Sequence, residues 1–193
     1  MNFLAHAYLT AHDEGLLVGG FLGDFVKGKH YAERFPDSIS RGIYLHRQID
    51  HFTDTHPQVL ELLKLLYPTQ GKYASVLLDM LFDHLLARDW AAYSESPLPG
   101  FVSRYYQQLE RNLIHFSPTA VSVFYAMQKY DWLNAYVKPE GVRRALGGLS
   151  RRVNFENTLA KGWTDFEKHE TELEKGFQSF FPIVKAFVKE QVS

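Results

Sequence analysis

The 193-residue chain has no cysteine. Neither a disulfide framework nor a thiolate metal site is therefore available, and any bound metal must take His and carboxylate ligands. The absence suits a reducing compartment. Net charge is almost absent too: 21 Lys and Arg stand against 22 Asp and Glu, a balance that gives no ground for nucleic-acid binding. No apolar run approaches the roughly 18 residues that span a membrane. The opening Met1 to Asp13 stretch carries His6 and His12 rather than a cationic segment, which makes it a poor signal peptide. The chain reads as soluble and cytoplasmic, with neither nucleic acid nor membrane as a partner. Strand-like alternation is also scarce, as are repeats and low-complexity tracts.

What is present is apolar and helical. Apolar residues make up 46% and aromatics 15% of the chain, enough for a sizeable core. At this length a folded chain buries roughly 70% of its unfolded surface. The expected architecture is all-α, a single compact helical domain over residues 1–193. Phe3, Leu4, Ala7 and Tyr8 recur at helical intervals and predict a first helix ending about Thr10. A short apolar helix around Phe21, Leu22 and Phe25 should stop near Gly28. Pro36-Asp37-Ser38 reads as a helix entry, with the helix continuing to about Phe52. Thr55-His56-Pro57-Gln58 resembles a capping box that opens a helix to Leu66, ending before Pro68. A long helix is predicted over 73–93, and others over 101–114, 118–135, 139–149 and 154–175. Pro182 is expected to kink or interrupt the last segment.

The chemistry-bearing residues are unevenly distributed. Seven of the nine histidines and seven of the ten aspartates lie in the first 84 positions. His46 and Asp50 are four apart, so they share a helical face, and Asp54 follows at the same interval. Such a face can offer an imidazole and a carboxylate to one cation, or a carboxylate that orients a ligating imidazole. It can also be a plain surface ion pair. Asp79 and Asp83, with His84, sit among large apolar residues from Val76 to Leu86, where a carboxylate is costly unless paired. A metal would pair them, and so would Arg47 or Arg88. Small residues at Gly19, Gly20 and Gly23 allow close approach of a phosphate or of another helix. Asp24 beside them is either a ligand or a helix-end acceptor. His6, one turn from Asn2, is either a ligand or a satisfied core histidine.

Taken together, these stretches resemble the acyl carrier protein phosphodiesterase family. The similar segments are Met1-Asn2-Phe3-Leu4-Ala5-His6, Gly23-Asp24-Phe25-Val26-Lys27-Gly28, and Gly42 through Asp50 continuing to His56-Pro57. A fourth runs from Asp79 through Asp83-His84 to Trp90. The resemblance extends to Trp163 and Phe180-Phe181-Pro182. It implies a helical enzyme, distantly related to the His-Asp phosphohydrolases and manganese-dependent, that removes 4′-phosphopantetheine from holo-acyl carrier protein. The metal positions it implies are His6, His46, Asp50 and Asp83, and the catalytic ones are Asp24 and His84. The adjacent pair reads Asp83-His84, the reverse of the order for which the wider superfamily is named.

The expected chemistry matches. A divalent cation, with Mn²⁺ favoured, would neutralise phosphate charge and activate a water. Asp24 would accept the water proton, and the planar fork of Arg47 would clamp phosphate oxygens. Carrier proteins are acidic, so Lys27, Arg143, Arg144, Arg151 and the neighbouring Arg152 are the expected substrate-binding cations. Two other readings fit the same residues. One is a helical phosphohydrolase acting on a nucleotide or other small phosphoester. The other is a non-catalytic carrier-binding module stabilised by metal.

Overall fold

The computed structural model describes residues 1–192, and every regular element among them is helical. In chain order these are α1 (Phe3–Thr10), α2 (Glu14–Leu22), α3 (Asp37–Thr55), α4 (Pro57–Gln70), α5 (Ala74–Arg88), α6 (Leu98–Arg111), α7 (Pro118–Lys129), α8 (Trp132–Ala135), α9 (Pro139–Arg152) and α10 (Gly162–Val192). Single 3₁₀ turns join several of them. The all-α expectation holds, and one hydrophobic core runs through the helices.

The helix starts follow local chemistry. The Asp13 carboxylate accepts from Leu16 N–H and caps α2, and the Ser117 hydroxyl accepts from Ala120 N–H at the start of α7. Prolines stand in the first turns of α4, α6, α7 and α9, where the missing N–H costs no helical bond.

Several boundaries differ from expectation, each for a physical reason. Thr55 is the last residue of α3, not a cap. Its hydroxyl donates to the His51 carbonyl, and His56 takes the junction to α4 without a side-chain cap. Pro68 is carried inside α4. Residues 118–135 form two helices because Asp131 adopts a left-handed conformation (φ 46°) between them, which Asp tolerates better than most residues. The last helix begins at Gly162 rather than near 154. It breaks at His169 (φ −120°, ψ 22°) and runs on through Pro182. Phe177, Phe180, Phe181 and Val184 are completely buried around that proline. At about 1.5–3 kcal/mol each, their burial outweighs the roughly 3 kcal/mol cost of an interior proline.

Two packing features position the site. α5 lies deep in the core, with Leu77 through Ala87 buried apart from Asp79. α2 and α3 meet backbone to backbone. A Cβ on Gly19 would come within 2.6 Å of Gly42 Cα, and one on Gly42 within 2.8 Å of Gly19 Cα. Glycine at both places is a steric requirement of the crossing.

Candidate metal centre

The close α2–α3 crossing brings the chain just after α2 against the middle of α3. A Cβ on Gly23 would run into Cγ and Cδ2 of the His46 ring and lie 2.8 Å from its Cβ. The bare Gly23 backbone is thus one wall of the His46 pocket. The other wall is His6 of α1, whose ring stacks on that of His46 with centroids 4.0 Å apart.

Both imidazoles point at one carboxylate. Asp50, one turn beyond His46 on α3, has Oδ1 3.0 Å from His6 Nε2 and Oδ2 3.0 Å from His46 Nε2. His6, His46 and Asp50 each offer a ligand atom, and these atoms lie within 4.8 Å of one another. Both histidines are buried, whereas Asp50 is more than a third exposed. Asp24 Oδ1 stands 3.7 Å from His46 Nε2. The Met1 ammonium lies 3.4 Å from Asp50 and 3.0 Å from Asp79 Oδ1.

The electrostatics follow from this crowding. Burial, helped by neighbouring His46, pushes the His6 imidazole down to about 3, so it is neutral and available as a donor. Burial also opposes charge on His46, but its hydrogen bond and proximity to Asp50 prevail and raise it. For Asp50 the desolvation cost is overcome by the two histidine hydrogen bonds, which hold it ionised. Burial raises both Asp24 and Asp79. The Met1 ammonium, disfavoured by burial, is held at about 11 by Asp79 and Asp50.

Does this group fit a cation? Nδ1 of both His6 and His46 is buried without a hydrogen-bond partner, so each ring presents its Nε2 to the Asp50 side alone. Two imidazole nitrogens and a carboxylate, with Asp24 adjoining, form a nitrogen and oxygen donor set suited to a first-row divalent ion. The residues fit, and the arrangement is compatible with a divalent metal.

The family model for acyl carrier protein phosphodiesterases matches residues 1–184. The chain belongs to that family. It is 34% identical over 183 residues to the acyl carrier protein phosphodiesterase of Enterobacter sp. strain 638, covering 94% of each chain. Against the proteins of that name from Salmonella agona strain SL483 and Klebsiella pneumoniae strain 342 it is 33% identical. Those matches cover 96% and 94% of each chain, respectively. No solved structure matches it.

Within this family member, the site residues expected from sequence fall into two groups. His6, Asp24, His46 and Asp50 are brought together. Asp83, His84 and Arg47 are engaged elsewhere. Asp83 is fully buried on α5, and its two oxygens accept from Leu4 N–H at 2.8 Å and Ala5 N–H at 2.9 Å. It caps α1 from outside that helix, and burial pushes its carboxyl up to about 7 against those two donors. The His84 ring is enclosed by Trp163 and Phe166, with Nδ1 2.7 Å from the Tyr136 carbonyl. Arg47 donates to the carbonyls of Val26 and Gly28 and lies over the Tyr31 ring. It thereby fastens the segment that follows Asp24.

The cations divide likewise. Arg143 is paired with Glu167 and lies over Trp163, and Lys27 is exposed and lines a separate pocket with Arg34 and His115. Arg144, Arg151 and Arg152 line a cavity of about 630 Å³ that also reaches Met1, Asp24 and Asp79. Sequence reasoning missed the Met1 ammonium. Nothing in a side-chain pattern reports a backbone amine, so only the fold could place it.

Proposed function

We propose that this chain hydrolyses the phosphodiester joining 4′-phosphopantetheine to the serine of holo-acyl carrier protein, releasing apo-carrier and 4′-phosphopantetheine, with Mn²⁺ as cofactor. The observation that carries the reading is the convergence of His6, His46 and Asp50 beside Asp24. Asp24, beside His46, lines a cavity bordered by arginines, in a chain of the phosphodiesterase family. His6, His46 and Asp50 would hold the cation. When bound, such an ion polarises a phosphoryl oxygen and lowers the pKa of a coordinated water.

The chain's own residues supply the rest. The two Asp50 oxygens face Nε2 of both rings, so a cation seated among them would replace those hydrogen bonds and take one donor atom from each of the three residues. Asp24 is solvent-accessible and its basicity is raised by partial desolvation, so it suits the role of proton acceptor from the attacking water, worth about 10²–10⁴ in rate. Arg47 holds the 26–28 segment and so positions Asp24. Arg144, Arg151 and Arg152 give the cavity rim a positive charge complementary to an acidic carrier.

The test is mass spectrometry of holo-carrier incubated with Mn²⁺ and either native protein or Asp24→Ala. Loss of the phosphopantetheine mass with native protein only, abolished by chelator, is the expected result. An intact holo-carrier beside hydrolysis of nucleotides would move the reading to a small-phosphoester phosphohydrolase. Tight carrier binding with no turnover of either substrate would leave a metal-stabilised binding module. Full activity of Asp24→Ala would remove Asp24 from the mechanism.

A further inference from the structure

The cavity beside the metal centre contains a glycine that the fold does not explain. Glycine inside a helix costs roughly 1 kcal/mol relative to alanine, and at several other helical positions in this chain packing accounts for it. Gly19 and Gly42 let two backbones touch, Gly23 admits the His46 ring, Gly141 abuts the Ala135 carbonyl, and Gly176 faces Leu62. Gly148 lies within α9 with helical backbone, and a Cβ there would meet no atom within 4 Å. Among the described residues it is the one α-helical glycine of which this is true. What lies in front of it is the cavity.

A second residue points into the same space. Asn2 occupies the N-cap position of α1, where an asparagine side chain ordinarily accepts from the N–H groups of the first turn. Here it makes no cap bond. Those N–H groups, Leu4 and Ala5, are taken by Asp83. The Asn2 amide lines the cavity instead, and the only hydrogen bond it makes there is a long one of 3.7 Å to Met80 sulfur. A polar amide has thus been released from its usual work and left beside apolar walls from Val76, Met80 and Leu149.

We propose that this cavity seats the phosphopantetheine arm, with Gly148 leaving room for the chain and Asn2 hydrogen-bonding one of its amides. The assignment rests on the phosphodiesterase reading above and adds the residues that select for the arm. The chemistry is complementary: beyond its phosphate the arm is a narrow, uncharged chain with two secondary amides, a hydroxyl and a single gem-dimethyl branch. A cavity of about 630 Å³ lies within the roughly 300–1,000 Å³ range of small-molecule sites. One end of the cavity carries Asp24 and Asp79, next to the metal centre, so a phosphodiester placed at that centre would direct its pantetheine side toward α9.

The test compares native protein with Gly148→Leu, Gly148→Ala and Asn2→Ala on three probes: holo-carrier, the armless diester bis(p-nitrophenyl) phosphate, and free pantetheine in a calorimetric binding titration. In Gly148→Leu, the ratio of kcat/KM on holo-carrier to that on the armless diester should fall about tenfold or more, and pantetheine binding should weaken by a similar factor. Asn2→Ala should weaken pantetheine binding about fivefold, the worth of one net hydrogen bond. Should the leucine variant misfold, Gly148→Ala serves: its thermal midpoint should rise while its pantetheine affinity falls severalfold. An unchanged ratio with unchanged pantetheine affinity overturns the proposal, and so does an equal loss on both substrates. If native protein cleaves no holo-carrier, the phosphodiesterase reading fails by itself. Gly148-dependent pantetheine binding would then still support the seat, and its absence would overturn it.

Discussion

A single methyl group at Gly23 should damage the centre more than most changes to its surroundings. The Cβ of Gly23→Ala would overlap Cγ and Cδ2 of His46 and stand 2.8 Å from its Cβ, whereas carbon atoms rest comfortably at about 3.5–4.0 Å. The ring must retreat by about 1 Å, and its retreat is blocked. His6 stacks on its other face at a centroid distance of 4.0 Å, and Asp50 holds its Nε2 at 3.0 Å. Overpacking of this kind costs about 1–3 kcal/mol in stability. A misplacement of about 1 Å at a reacting centre costs about 10²-fold in rate, equivalent to about 2.7 kcal/mol. Three measurements on purified Gly23→Ala check this: a urea denaturation curve, metal content after dialysis, and turnover of holo-carrier. The control is Gly147→Ala, whose Cβ would sit in ordinary contact, 3.5 Å from Arg151 Nη1. The control should gain up to roughly 1 kcal/mol from helix propensity while keeping its metal. Native metal content and native turnover in Gly23→Ala would refute the view that Gly23 shapes the His46 pocket.

Two further perturbations follow from the same geometry. Asp83 has a folded-state pKa of about 7 against an ordinary value of 3.8, so the folded protein holds this proton more tightly. The resulting stability is complete below about pH 4 and is lost as pH rises to about 7, up to roughly 4 kcal/mol. Asp83→Asn cannot titrate and offers only one acceptor to the two N–H groups of α1. Its deficit relative to native protein should be larger at pH 5 than at pH 8 in denaturant titrations, and a deficit that grows with pH would contradict the buried-carboxyl account. On the rim, reversing the charge of Arg144 and Arg151 together should raise KM for the carrier roughly tenfold, about 1.4 kcal/mol, and weaken its salt dependence. Arg143→Glu should do less, since Glu167 already takes that charge. An Arg143 effect equal to the double reversal would place the docking surface elsewhere.

The helices were legible because their apolar periodicity is imposed by the core they build. α1, α3 and α5 appear where Phe3-Leu4-Ala7, Ile39-Ile43-Ile49 and the Leu77–Leu86 run demand them. The ends were less legible, since local signals there compete with packing. Pro182 carries a breaker's chemistry, but the buried Phe177, Phe180 and Phe181 hold the helix through it. Thr55 carries a cap's chemistry, but α3 had not yet ended and its hydroxyl turned back to His51.

The site shows the same division more sharply. His46 and Asp50 could be paired from their spacing alone, because one turn of helix fixes their separation. Asp83 beside His84, on an equally apolar helix, carries as much of the pattern and has a different task. What separates Asp50 from Asp83 is which donors reach their oxygens. Asp50 faces two imidazoles, and Asp83 faces two backbone N–H groups of α1. A trace of this was present in the sequence. The first turn of α1 has no acidic residue, so its unsatisfied N–H groups needed an acceptor from elsewhere in the chain. A buried aspartate on the neighbouring helix was a natural supplier. Once Asp83 supplies that cap, Asn2 is free to face the cavity, and α1 is fixed on α5 at the height that stacks His6 on His46. The carboxylate that sequence spacing offered as a ligand thus supports the centre by anchoring the helix that carries His6.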